Sequence, residues 1–251
     1  MGLFRHVLDE LRLGVDEKTS FDEPPAPRLP KMILPMPNKD KDFHEHWYPG
    51  RDELDIIHPF RIVLMSKPNA GKTTVMKNIL ARIQEGKTPF ERIIVVHCDA
   101  QETHEYDDLD CVLCSHVPSP QDISPSRKTL IILEDLNYQK MDRFEDGDLE
   151  RLFGYASTHK NVSCMLTAQN AFSIPAHLRR CANVFVVWHN RDADMLKMLG
   201  RKIGLGYKDL CRAIDRHCQD EHDSLWVDFT TGTPMRFRKN GYEALTLDDL
   251  K

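Results

Sequence analysis

The chain has 251 residues, 41% of them apolar and 29% charged, with a formal net charge of -5. That length suits one large α/β domain with or without an appendage, and the apolar content excludes a disordered or fibrous chain. The mild acidity excludes a globally basic nucleic-acid binder, though a local basic surface could still meet phosphates.

Seven cysteines lie between Cys98 and Cys218 with no regular spacing, which points to a reducing compartment and not to a disulfide framework. The longest apolar runs, such as Ile62-Val-Leu-Met65 and Val184-Phe-Val-Val-Trp188, fall far short of the ~18 residues a membrane helix needs. The start of the chain lacks the apolar core of a secretion signal. His6 stands where myristoylation would want Ser or Thr.

In chain order, Leu3, Val7, Leu8 and Leu11 are spaced for one face of a short helix. Residues 21–50 carry seven of the fifteen prolines, and proline removes backbone donors and favours extended chain. Residues 1–58 therefore read as a helix and a Pro-rich arm, either a partner-docking strap or a plain linker. Residues 59–251 read as the folded domain. Residues 61–65 predict a strand. A helix over 71–85 follows from Val75, Met76, Ile79, Leu80 and Ile83 at helical spacing, with Gly86 to end it. Strands are expected at 92–97, 111–115, 130–133, 163–169 and 183–188. Helices are expected at 148–159, 174–180, 191–202 and 207–218. Residues 224–229 and 234–239 read as a closing hairpin turning near Thr231-Gly232. Continuously apolar strands alternating with helices indicate a mostly parallel sheet flanked by helices.

Ser66-Lys67-Pro68-Asn69-Ala70-Gly71-Lys72-Thr73-Thr74 joins the first strand to the first helix. It fits Gly-x-x-x-x-Gly-Lys-Ser/Thr with Ser66 in the first glycine position. In such a loop successive N–H groups and the helix N-terminus hold phosphates. Lys72 reaches the β- and γ-phosphates and Thr73 offers a hydroxyl to Mg²⁺. Leu130-Ile-Ile-Leu-Glu134-Asp135 then ends an apolar strand in two acids. Hydrolysis of a nucleotide wants one carboxylate on the metal side and another to orient water. We assign Glu134 to the metal and Asp135 to the water. Gln169, at the end of the next strand, is placed to sense the γ-phosphate or to polarise the water.

Arg179 and Arg180 are candidates to stabilise charge in a neighbouring subunit's site, with Arg191, Arg201 and Lys202 as weaker ones. Arg236, Arg238 and Lys239 read as charges protecting an exposed edge strand, with a DNA-facing surface as the alternative. Cys111 and Cys114 have zinc-ligand spacing, but on a strand they would face opposite sides.

Taken in order, the phosphate loop, the Leu130–Asp135 stretch, Leu166-Thr-Ala-Gln169-Asn170, Ile174-Pro175 and Leu178-Arg-Arg180 resemble the genome-packaging ATPases of large and mid-sized double-stranded DNA viruses and related mobile elements. These belong to the FtsK–HerA branch of P-loop motors. The resemblance covers residues 60–240. It implies a P-loop NTPase fold of the ASCE, RecA-like kind, with an extra strand between the phosphate-loop strand and the acidic strand. It also implies ATP and Mg²⁺ as ligands, a homo-oligomeric ring (pentamer or hexamer), double-stranded DNA as the translocated partner, and capsid or portal-vertex proteins as docking partners. The implied location is the host cytoplasm, the viral factory or the virion, without secretion. By position, Lys72 and Thr73 match the nucleotide and metal residues, and Glu134 departs from the usual Asp. Gln169 matches the sensor, and Arg180 matches the trans-acting arginine better than Arg179. The other readings are a P-loop kinase, for which no arginine-rich lid is evident, and a non-catalytic nucleotide-binding module.

Overall fold

The computed structural model describes residues 56–86, 89–189, 192–230, 236–246 and 248–250. The expected N-terminal helix and nearly all of the Pro-rich arm lie outside the described residues, as do Arg191 and the Thr231-Gly232 turn.

The parallel strands are β1 (Arg61–Met65), β2 (Arg92–His97), β3 (Val112–Cys114), β4 (Thr129–Glu134), β5 (Val162–Ala168) and β6 (Val184–Trp188). An antiparallel set follows, β7 (Ser224–Asp228), β8 (Phe237–Lys239) and β9 (Glu243–Leu245). The sheet order is β3-β2-β4-β5-β1-β6-β7-β8-β9. β5 therefore lies between the phosphate-loop strand β1 and the acid-bearing strand β4, as the resemblance implies. β1, β4 and β5 run parallel, so the loops that follow them open on one edge of the sheet.

The core explains why the strands are apolar throughout. Ile62 and Leu64 of β1 face one side with Val95, Ile132, Met165 and Val186. Val63 and Met65 face the other with Val96, Leu133, Leu166 and Val187. Helix α1 (Lys72–Gln84) covers the first side through Val75, Met76, Ile79, Leu80 and Ile83. The second side is covered by α2 (Arg143–Arg151), α3 (Ala176–Cys181), α4 (Ala193–Ile203) and α5 (Tyr207–His217). Burial on both faces removes the polar alternation of a half-exposed strand.

Several expectations shift. The helix expected at 148–159 begins at Arg143, because Asp142 accepts Phe144 N–H and Glu145 N–H at 2.7 and 2.9 Å and caps it. Past Arg151 it widens into a π-helical stretch, Leu152–Ala156, before Ser157–His159. The closing hairpin is present as β7–β8, and β9 extends it. β8 is therefore not an edge strand, and Arg238 is not a surface charge. Its guanidinium is fully buried, 3.1 Å from Asp228 and stacked on Trp226. Lys239 is paired with the buried Asp223 at 3.2 Å. Among the described residues, no helix is long and apolar enough to cross a membrane.

Candidate active site

The loop 66–71 turns sharply out of β1. Asn69 at φ 61° and Gly71 at φ 94° hold left-handed backbone, the region where glycine and asparagine are tolerated. Ser66 does not, which is why this position tolerates a serine. Its N–H donates to Ala168 O at 3.2 Å, and its hydroxyl donates to Lys67 O at 2.9 Å. Gly71 caps α1 and its carbonyl accepts Val75 N–H at 2.9 Å, so the first N–H groups of the helix remain available at the loop.

Lys72 is buried and donates from Nζ to Ser66 O and Lys67 O at 3.3 and 3.2 Å. Thr73 Oγ1 donates to Glu134 Oε1 at 2.6 Å. Thr74 is exposed beside them. Glu134 is the last residue of β4 and only 4% exposed, and its Oε2 has no hydrogen-bond partner. Burial raises its pKa above the ordinary carboxylate value, the Thr73 hydroxyl opposes the rise, and Glu105 adds to it. Asp135 is exposed at φ 42°. Its N–H donates to Thr167 Oγ1 at 2.9 Å, and that hydroxyl donates back to Asp135 Oδ1 at 3.3 Å. Thr167 is fully buried in β5, so the second acid is held in register with the neighbouring strand.

Pro68, Asn69, Gly71, Lys72, Thr73, Thr74, Glu134 and Asp135 thus share a cleft of about 450 Å³. His97, Glu105 and His222 line it too, and sequence reasoning did not place them there. His97 ends β2 directly opposite Glu134, a register no spacing rule reveals. His222 precedes β7 and lies 3.4 Å from Ala70 O through Nδ1, a contact across 152 residues of chain. A second cavity of about 600 Å³ lies on the other flank of the loop. Lys67, Asn69, Trp188, His189, Asp215 and Glu221 are among its walls. Trp188 is 1% exposed and its indole N–H has no partner.

Gln169 follows β5 immediately and is exposed at the same sheet edge, outside the lining of the first cleft. Arg179 and Arg180 lie away from it, near the C-terminal end of α3. The chain there is already turning into β6, where Asn183 N–H donates to Arg61 O at 3.0 Å. Arg179 is committed within the chain. Its Nη1 donates to Ala171 O at 2.9 Å and its guanidinium lies 5.4 Å from the Phe172 ring centre. Burial and the neighbouring Arg180 lower its pKa. Arg180 is exposed, and its Nε donates to Ala176 O of its own helix at 3.2 Å. Lys202 is no surface cation. It caps the end of α3, donating to the carbonyls of Arg179, Arg180 and Ala182. Cys111 and Cys114 pack against opposite faces of the sheet, so they do not converge on one metal.

Comparison with protein families finds no match, and neither does comparison with curated proteins. Among solved structures, the genome packaging NTPase B204 of Sulfolobus turreted icosahedral virus 2, in complex with ATP-gammaS, has a TM-score of 0.50 at 13% identity. The match covers 75% of this chain and 98% of that one. The pCW3 conjugation coupling protein TcpA gives 0.48 at 10% identity over 75% and 61% of the two chains. The cytoplasmic domain of the Thermomonospora curvata type VII secretion ATPase EccC gives 0.48 at 10% over 74% and 25%. The likeness to B204 shows a shared P-loop NTPase fold, in agreement with the sheet order.

Proposed function

We propose that this chain is an ATP-hydrolysing motor that moves double-stranded DNA into a viral capsid, of the FtsK–HerA packaging kind. The observation that carries the reading is the meeting of Lys72, Thr73, Glu134 and Asp135 at one edge of the sheet, with the Gln169 strand between those of the loop and the acids.

In this reading the phosphates of ATP lie in the loop 66–74, held by its N–H groups and the start of α1. Lys72 exchanges the Ser66 and Lys67 carbonyls, its partners within the loop, for phosphate oxygens. The larger cavity beyond Asn69, where Trp188 has a buried N–H without a partner, would take the adenosine half. Thr73 and Glu134 would hold Mg²⁺. Both offer hard oxygen ligands, and Glu134 Oε2 is buried and unpaired. Bound there, the ion would neutralise charge on the β- and γ-phosphates. Asp135, fixed by Thr167, orients the attacking water, and Gln169 senses the γ-phosphate from the next strand. Arg180 serves the site of a neighbouring subunit in a homo-oligomeric ring, because it is exposed and remote from its own loop, whereas Arg179 is tied to Ala171 and Phe172. Capsid or portal proteins are the docking partners, in the host cytoplasm, the viral factory or the virion.

A triplex-displacement assay tests translocation. With ATP and Mg²⁺ the protein should strip a third-strand oligonucleotide from linear duplex DNA, and the Lys72→Ala variant should not. ATP hydrolysis without displacement would favour a kinase or another non-translocating ATPase. ATP binding with neither would favour a binding module.

A further inference from the structure

α3 is six residues long and has no left-handed glycine to close its C-terminal end. The last carbonyls of a helix lack intrahelical donors and carry the negative end of its dipole, so they need an outside partner. Lys202 supplies it from α4. Its Nζ donates to Arg179 O, to Arg180 O at 3.3 Å and to Ala182 O at 3.2 Å. The ammonium is also held between two aromatic faces, 4.7 Å from the Phe185 ring centre and 5.9 Å from that of Phe229. Those rings meet edge to face at 6.0 Å.

The base of this lysine is equally fixed. Leu205 N–H donates to Gly200 O at 2.9 Å, and a Cβ at Gly200 would come within 2.8 Å of Leu205 O. Gly204 at φ 78° closes the helix. A small residue and a left-handed one therefore set where α4 ends and where Lys202 starts. Burial lowers the Lys202 pKa, the nearby Cys181 opposes the fall, and Arg179 deepens it. This cation is thus held at a fixed place in the fold.

We infer that Lys202 is a positioning residue for Arg180: by clamping the carbonyl end of α3 it fixes the exposed arginine in the attitude in which a neighbouring subunit's nucleotide site receives it. This rests on the proposed trans role of Arg180, and it assigns Lys202 a part in hydrolysis through that residue. A lysine suits the task, since three rotatable donors can meet three carbonyls that point in different directions.

Subunit mixing separates this role from simple stabilisation. Lys202→Met keeps the stem between the two rings and removes the donors. Alone, it should lower kcat for ATP at least tenfold with KM within twofold, because its own phosphate loop is untouched. Lys202→Arg, which keeps charge and donors, should recover most of the rate. Lys72→Ala subunits have a dead site but an intact α3, so mixing them with Lys202→Met should raise activity at least threefold above the sum of the two alone. Arg180→Ala mixed with Lys72→Ala is the reference and should show the same complementation. If that reference pair complements and Lys202→Met does not, the inference is overturned while the trans reading stands. If neither complements, the trans reading fails and takes the inference with it. Unchanged kcat in Lys202→Met overturns the inference alone. Should Lys202→Met not fold, Lys202→Gln enters the same mixing with the same expectations.

Discussion

The two edges of the parallel sheet carry similar residue types to different ends. At the edge where β1, β4 and β5 begin, a chain of polar groups closes on itself around Ser163, His58 and Asn161. Phe60 N–H donates to Ser163 Oγ at 3.0 Å, and Arg61 N–H donates to Asn183 Oδ1 at 2.7 Å. The Ser163 hydroxyl is thereby oriented to donate to His58 Nδ1 at 2.7 Å, and His58 Nε2–H donates to Asn161 Oδ1 at 2.6 Å. Asn161 sits at φ 56°, and its side chain recovers the cost through that bond. At the opposite edge, where the same strands end, Glu134 Oε2 is buried and unpaired, and Lys72 leans on carbonyls of its own loop. Unfavourable backbone also persists there, at Asn69 and Asp135. Closed polar networks build the fold, whereas polar groups left with spare capacity and an unfavourable environment mark the place where a ligand completes the set.

The largest expected contrast comes from cutting each edge at its centre. Lys72→Ala should lower ATP turnover by about 100- to 1000-fold, the loss typical of one charge-stabilising donor. Its melting temperature should stay within about 2 °C of the parent. Ser163→Ala should do the reverse. It orphans the Phe60 N–H and the His58 ring nitrogen at a cost of about 2–3 kcal/mol. That lowers the melting temperature by roughly 4–10 °C, with the KM for ATP unchanged.

A smaller effect follows from acid. Burial lowers the His58 pKa to about 4, against an Asn161 hydrogen bond that raises it and a Lys128 charge that lowers it further. Its stabilising contribution is therefore complete above the unfolded value of about 6.5 and is lost as pH falls toward 4. Partial exposure limits the loss to about 1–2 kcal/mol. Thermal melts at pH 7 and 5 should show it, and His58→Gln should flatten that slope. The smallest expected effect has the opposite sign. Glu134→Gln removes a charge that burial disfavours, and should raise the melting temperature at pH 8 by about 2–4 °C while suppressing hydrolysis. A fall in melting temperature would remove Glu134 from the strained edge.

Much of this edge was legible in the sequence because its signals are local. The loop 66–74 lies between a strand and a helix that each announce themselves by apolar spacing, and Glu134-Asp135 ends a run of four apolar residues. Signals that depend on chain crossing were hidden. His97 meets Glu134 only through strand register, and His222 reaches Ala70 only because β7 folds back beside β6. Arg238 looked like a surface charge since its partner Asp228 lies ten residues back and β9 covers its strand. Lys202 read as a weaker candidate for a neighbouring subunit's site, and only the docking of α4 on α3 turns it inward onto carbonyls of its own chain.

Steady-state ATP hydrolysis with Mg²⁺, with and without linear duplex DNA and beside Lys72→Ala, separates a DNA-coupled motor from the other P-loop readings. A DNA motor should show hydrolysis that DNA stimulates severalfold and that falls about 100-fold or more in the variant. Hydrolysis that Lys72→Ala lowers less than about tenfold, or that duplex DNA leaves unchanged, would contradict that reading.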